Sequence, residues 1–411
     1  GAITGSSTIN GVGIISNITN FANGILISQD GSTGTLNAAS NNTGLGNGVF
    51  DDLTTGDGNV GMGYSALSAL TTGSDNVGIG VGALALNTTA VENTLVGSSA
   101  GDAISTGSYN TGFGSATLGA TTTATFNTAV GRHALTANTT GSSNVAVGGQ
   151  ALDANTTADN NTAVGTSSLG ANTTGASNTA VGQGALAANT TADGNTGVGY
   201  QALTANTIGD RNTALGWSAM ATNVDGDRNV AIGYGAMQTF EPANTATYNT
   251  AVGYVAGNAM TTAINNTFIG GLANAVGVPG NQNTAVGSQA MYNNADVENT
   301  GIGYAALNAN TSGGYNTAVG SNVMSANTTG DSNVAVGQNA LDANTTASNN
   351  VAIGAAALGA NTTGTNNVMV GNSAGDAITT SNNNTGVGHD VLGANTSGDT
   401  NTAMGSTTLN T

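Results

Sequence analysis

Asn144-Val145-Ala146-Val147-Gly148-Gly149-Gln150-Ala151-Leu152-Asp153-Ala154-Asn155-Thr156-Thr157-Ala158-Asp159-Asn160 is followed, at Asn161, by the same pattern begun again. The anchor Asn recurs every 17 residues from Asn42 to Asn229, passing through Asn127, Asn144, Asn161, Asn178, Asn195 and Asn212. It resumes at Asn249, after a step of 20, and runs to Asn401 with one further irregularity, a step of 16 between Asn283 and Asn299. Residues 42–411 therefore hold 22 copies of one unit. Two-helix repeats need about 34 residues and strong helix formers. Seventeen residues rich in Gly, Asn and Thr fit one coil of a narrow parallel β-solenoid, with Val, Ile and Thr in strands and Gly, Asn, Asp and Ser in turns.

Within a coil, alternation along Asn144–Gly148 predicts Val145 and Val147 inside and Ala146 and Gly148 outside, because successive strand side chains point to opposite faces. A second strand is expected over Ala151–Asn155, with Leu152 in the core. Three coils replace the Leu eight residues after the anchor by Gly and the Asn eleven after it by an apolar residue: Gly101 with Ile104, Gly257 with Met260, Gly375 with Ile378. That linked exchange places both positions in one interior volume, since packed cores tolerate volume-conserving swaps best. Anchor Asn side chains stacked at roughly 4.8 Å are expected to form an amide ladder, and Asn also tolerates turn geometry.

Composition agrees with a folded repeat. Apolar residues make up 38% and charged residues only 6%, whereas disordered chains are poor in the first and rich in the second. The cations are Arg132, Arg211 and Arg228 alone, and the formal net charge is −18, which excludes phosphate neutralisation and so nucleic-acid binding. No run approaches the roughly 18 apolar residues of a membrane span, so no membrane insertion is expected. Zero Cys removes disulfides and thiolate metal sites, and fits an exported protein. The absence of a starting Met suggests processing or truncation. The chain stops at Thr411 in mid-coil, which reads either as a fragment or as a subunit that stacks end to end.

The Asn-Thr-Ala-Val-Gly and Asn-Val-Ala-Ile-Gly cores at Asn127–Gly131 and Asn350–Gly354 resemble the head repeats of YadA-like trimeric autotransporter adhesins. Similar 17-residue copies also look like those of repetitive phage and bacterial fibre proteins. The resemblance covers residues 42–411. It implies a left-handed β-roll, association of three chains, binding to matrix or host surfaces, and an extracellular, cell-surface or virion location.

Residues 1–41 stand outside the repeat and carry two strand-like runs, 11–15 and 24–27, suited to capping the solenoid or pairing with another molecule. In the long step, Phe240, Glu241 and Pro242 are expected to bulge outward; Pro279 marks the next irregularity. The fifth residue after the anchor is aromatic in four successive coils: Tyr200, Trp217, Tyr234 and Tyr254, near Arg211 and Arg228. Such a column suits a sugar or protein partner, or simply a ring ladder or subunit interface. Asp193, Asp210 and Asp227 recur just before the anchors, as a turn device or a small calcium site. His133 and His389 are many coils apart, and no nucleophile–base, metal or phosphate motif appears, so neither enzyme nor cofactor is expected. The functional expectation is a structural or adhesive extracellular fibre that self-associates as a homotrimer or filament and touches a surface glycan or matrix protein. A phage tail-fibre shaft and an ice-binding solenoid, through its Thr columns, are the alternatives.

Overall fold

The computed structural model describes residues 5–9, 12–18, 21–28, 35–242 and 247–409, and holds no helix among them. The chain is an all-β parallel solenoid in which each coil contributes one three-residue strand, such as Val145–Val147 or Thr162–Val164. Within each compact unit the repeat strands pair in parallel with the strand one repeat away and in register, Val145 with Thr162 and Ala146 with Ala163. Two compact units divide it, Gly1–Ile208 with ten anchors and Gly209–Thr411 with twelve.

In the first unit, β1 (Gly5–Ile9), β2 (Val12–Ile18) and β3 (Phe21–Ser28) form an antiparallel meander. The expected strand runs fall in β2 and β3, except Gly11, which lies outside the described residues. β3 then pairs in parallel with β4 (Ala39–Ser40) and with β5 (Thr43–Leu45), the strand of the first repeat.

Backbone chemistry limits each strand to three residues. The residue before the anchor is left-handed, as at Asn160 (φ 61), and the Gly after the strand has a φ that L-residues avoid, as at Gly148 (φ 141). Positive φ therefore falls beside the anchor Asn and not on it. The return leg is not a second strand. It is two tight turns, closed by Ala151 N–H to Gly148 O (3.3 Å) and Asn155 N–H to Leu152 O (3.2 Å), with left-handed residues at Gln150 and Leu152. Its free N–H groups bond to the next coil, Leu152 to Ser168 O (3.1 Å) and Thr156 to Thr173 O (3.0 Å).

The facing of the strand corrects the expectation. Ala146 is fully buried, while Val145 and Val147 point out and stay half-exposed. A coil with one short strand is too narrow for large side chains from both sides. Leu152, fully buried, reaches across from the return leg and leaves room opposite it for Ala or Gly only. A Cβ on Gly78, for instance, would stand 3.1 Å from Leu67 Cγ.

The linked exchange thus has a third member. Leu95 and Met369 fill the strand centre in two of the coils with Gly at the eighth position, and in the third, Phe268 of the following coil overlies Gly257. Ile104, Met260 and Ile378 are buried beside them. A Cβ on Gly101 would lie 2.8 Å from Ile104 Cδ1 and 3.0 Å from Leu95 Cγ. Gly101→Leu alone is therefore expected to cost about 3 kcal/mol by overpacking. Adding Leu95→Ala and Ile104→Asn should recover most of it in urea denaturation. A triple variant no better than the sum of its single changes would refute the shared volume.

The long step also departs from expectation. Phe240 is fully buried and Pro242 is buried; of the three residues only Glu241 is exposed. Phe240 stands eleven residues after its anchor, an interior position that Asn occupies in most coils, so its ring enters the core. Residues 243–246 lie outside the described residues. The flanking strands keep register, Val230 with Thr250.

Candidate functional site

Most polar side chains that recur hold the coils together. Each anchor Asn is buried; Asn161 Oδ1 accepts the N–H of Asn178 (2.9 Å), and its Nδ2 donates to Gly175 O (2.9 Å), bracing strand to return leg. Asn144 does the same with Asn161 N–H (2.9 Å) and Ala158 O (2.8 Å), and Asn127 with Asn144 N–H (3.0 Å) and Gly141 O (3.0 Å). Asn178 receives Asn195 N–H (2.9 Å), and in the second unit Asn212 receives Asn229 N–H (3.0 Å). At each of these steps a backbone N–H donates to the anchor side chain, and the Asn229 amide donates to Asn212 as well (3.0 Å), as Asn127 does to Asn110 (3.2 Å). A further amide-to-amide ladder lies in the second Asn column: Asn155 to Asn138 (2.9 Å), Asn172 to Asn155 (3.0 Å), Asn189 to Asn172 (2.8 Å). Where an apolar residue interrupts that column, an amide atom is orphaned: Asn361 Oδ1, one repeat before Ile378, is buried without a partner. These second-column residues are also the Asn of the Asn-Thr-Thr triplets, and their full burial removes them as glycosylation acceptors.

The carboxylates before the anchors cap backbone. Asp193 Oδ1 accepts Ala176 N–H (2.7 Å), and Asp227 Oδ1 accepts Asp210 N–H (2.8 Å), a role Ser or Asn fills in other coils. Among the described residues no group of three His, Asp or Glu converges as a metal site.

Besides Asp51, four further carboxylates sit nine residues after an anchor: Asp102, Asp153, Asp342 and Asp376. Each is followed 17 residues later by Gly; a Cβ on Gly170 would stand 3.5 Å from Asp153 Oδ1. Burial is the largest influence on all four and pushes their pKa above the ordinary carboxylate value. Asp390 adds a second upward push on Asp376, whereas His133 partly opposes the shift at Asp153. A raised folded-state pKa means that the folded chain holds these protons more tightly than the unfolded chain. Stability should therefore rise as pH falls from neutral through the raised range, and level off below the unfolded value. Calorimetric Tm should increase from pH 7 toward pH 4, with a shallower slope when all four become Asn; an unchanged slope would sink this account.

The side chains left for a partner lie on the outer face of the sheet. In the second unit, Trp217 and Tyr234 stack face to face (4.8 Å, 6°), and Tyr234 stacks on Tyr254 (5.5 Å, 18°). Tyr254 is 59% exposed, and the next residue of the column, Gly271, has open space above it. Tyr200 is also exposed and lies in the first unit. Across the strand, Arg211 is exposed, and Arg228 reaches Asp227 (3.7 Å) and lies 5.5 Å over the ring of Tyr248. Tyr248 escaped the sequence reading, although it precedes an anchor as Arg211 and Arg228 do. A further stacked pair, Tyr109 and Phe126 (4.9 Å, 4°), occupies that column in the first unit. No described helix is long and apolar enough to cross a membrane. Comparison of the chain with protein-family models, with curated proteins and with solved structures finds no match.

Proposed function

We propose that this chain is a structural and adhesive fibre segment, displayed outside the cell or on a virion, that self-associates and attaches through side chains on its outer faces. The observation that carries the reading is the outward row of strand residues. Leu215, Ile269, Ile302 and Ile353 are each at least 40% exposed or close to it, on a parallel sheet whose outer face the described residues leave uncovered. Parallel sheets are ordinarily covered on both faces. Catalysis is not part of the proposal, because the recurrent polar groups bond along the stack. Light scattering of the purified chain should give about three times 39.4 kDa, or a mass that grows with concentration. Beads coated with the chain should be retained on glycan- or matrix-coated surfaces. A clean 39.4 kDa monomer that leaves every such surface bare would refute it.

One observation favours ice binding as a second reading. Thr55, Thr72, Thr89, Thr106, Thr123, Thr140, Thr157, Thr174 and Thr191 form an unbroken exposed column in the first unit. Thermal hysteresis of the purified chain tests it, and none at millimolar protein removes it.

A further inference from the structure

The outer strip of the second unit between Arg211 and Tyr254 has two unlike rims. Trp217, Tyr234 and Tyr254 form one; Arg211, Arg228 and Tyr248, each just before the anchor of the same three coils, form the other. Thr213, Leu215, Val230, Ile232, Thr250 and Val252 lie between them as the outward residues of the three strands. The rings stack on one another, so the faces between them are occupied and the edges meet solvent. A ring edge is the electropositive part of the quadrupole, and it also carries the Trp indole N–H and Tyr O–H donors. Both rims therefore offer donors to oxygen-rich groups. The second unit contains only two cations, Arg211 and Arg228, and both stand here, each preceded by an Asp, of which Asp227 reaches Arg228 at 3.7 Å. Guanidinium is the side chain suited to paired bonds with carboxylate.

We propose that this strip binds an acidic polysaccharide, with uronate carboxylates on Arg211 and Arg228 and sugar hydroxyls on the exposed edges of Trp217, Tyr234 and Tyr254. The coils step by roughly 4.8 Å, close to the advance of one sugar in an extended chain, so a glycan lying along the stack meets one row per residue: Arg211 with Trp217, Arg228 with Tyr234, Tyr248 with Tyr254. Guanidinium–carboxylate pairing, in competition with Asp210 and Asp227, favours this occupant over a neutral glycan. The regular step favours it over an acidic peptide, whose side chains alternate faces. The inference rests on the adhesive reading and names its ligand class.

Trp217 is the only Trp in the chain, so intrinsic fluorescence reports on the strip itself. Titrating the full chain with hexagalacturonate should give a saturable change that weakens with salt, while cellohexaose binds at least about tenfold more weakly. The Arg211→Gln/Arg228→Gln variant, with far-UV circular dichroism unchanged, should lose about tenfold or more in affinity, as expected for removing charge-assisted bonds. Absence of response to hexagalacturonate, equal affinity for cellohexaose, or equal affinity for hexaglutamate would each overturn the assignment. Should the Gln variant misfold, the salt dependence and the probe comparison on the unaltered chain still decide. Surface retention of coated beads despite a silent titration would remove this inference and leave the adhesive reading standing.

Discussion

Gly148→Val is expected to destabilise the first unit by at least about 3 kcal/mol, whereas Gly149→Val, one residue on, stays within about 0.5 kcal/mol. At Gly148, φ is 141, and an added Cβ would sit 2.5 Å from Gly165 O and 2.6 Å from its carbonyl carbon. Those atoms are backbone of the next coil, fixed by Gly165 N–H to Val147 O (2.7 Å), so relief requires breaking the stack. Gly149 has nothing within 4 Å of a built Cβ. Solenoid coils are coupled mainly to their neighbours, so amide exchange should quicken first in the coils that begin at Asn144 and Asn161. Equal unfolding midpoints for the two valine variants would contradict the claim that this Gly column sets the closeness of the coils.

Asn161→Ala is the second large effect, at about 3 kcal/mol. It leaves Asn178 N–H buried without a partner, takes one of two amide donors from Gly175 O (Asn172 Nδ2 stays at 2.9 Å), and opens a cavity. Asn160→Ala beside it should cost only about 1 kcal/mol, because Asn160 is exposed and the loss is that of a tolerant residue at φ 61. Asn161→Asp separates donor from acceptor. Its carboxylate still accepts Asn178 N–H but faces Gly175 O with no proton, so the variant should be least stable at neutral pH and partly recover in acid. Urea midpoints at pH 7 and pH 4 for the three variants check this, and a pH-independent Asn161→Asp would rule out the brace to Gly175.

The errors of sequence reading fall where partners lie across the coil. Phe240 looked like the start of an outward bulge because local spacing was lost around it, yet its distance from Asn229 still made it an interior residue. Asp193, Asp210 and Asp227 looked like a cluster of charge, but two of them, Asp193 and Asp227, cap N–H groups one coil back. The ring column was visible from spacing alone at Trp217, Tyr234 and Tyr254. That the rings stack face to face, and so offer edges, followed only from their orientation.

The 17-residue period by itself determined the parallel all-β solenoid, its coil count and the interior place of Leu152 and of Ile104, because repetition of turn formers at that length admits few folds. Which face of Val145–Val147 points inward was decided by tertiary structure alone. Alternation along a strand states that Ala146 and its two neighbours differ in direction, not which of them is inside. That choice is made by Leu152 on the opposite leg, whose bulk leaves the strand centre room for Ala146 and turns the valines out.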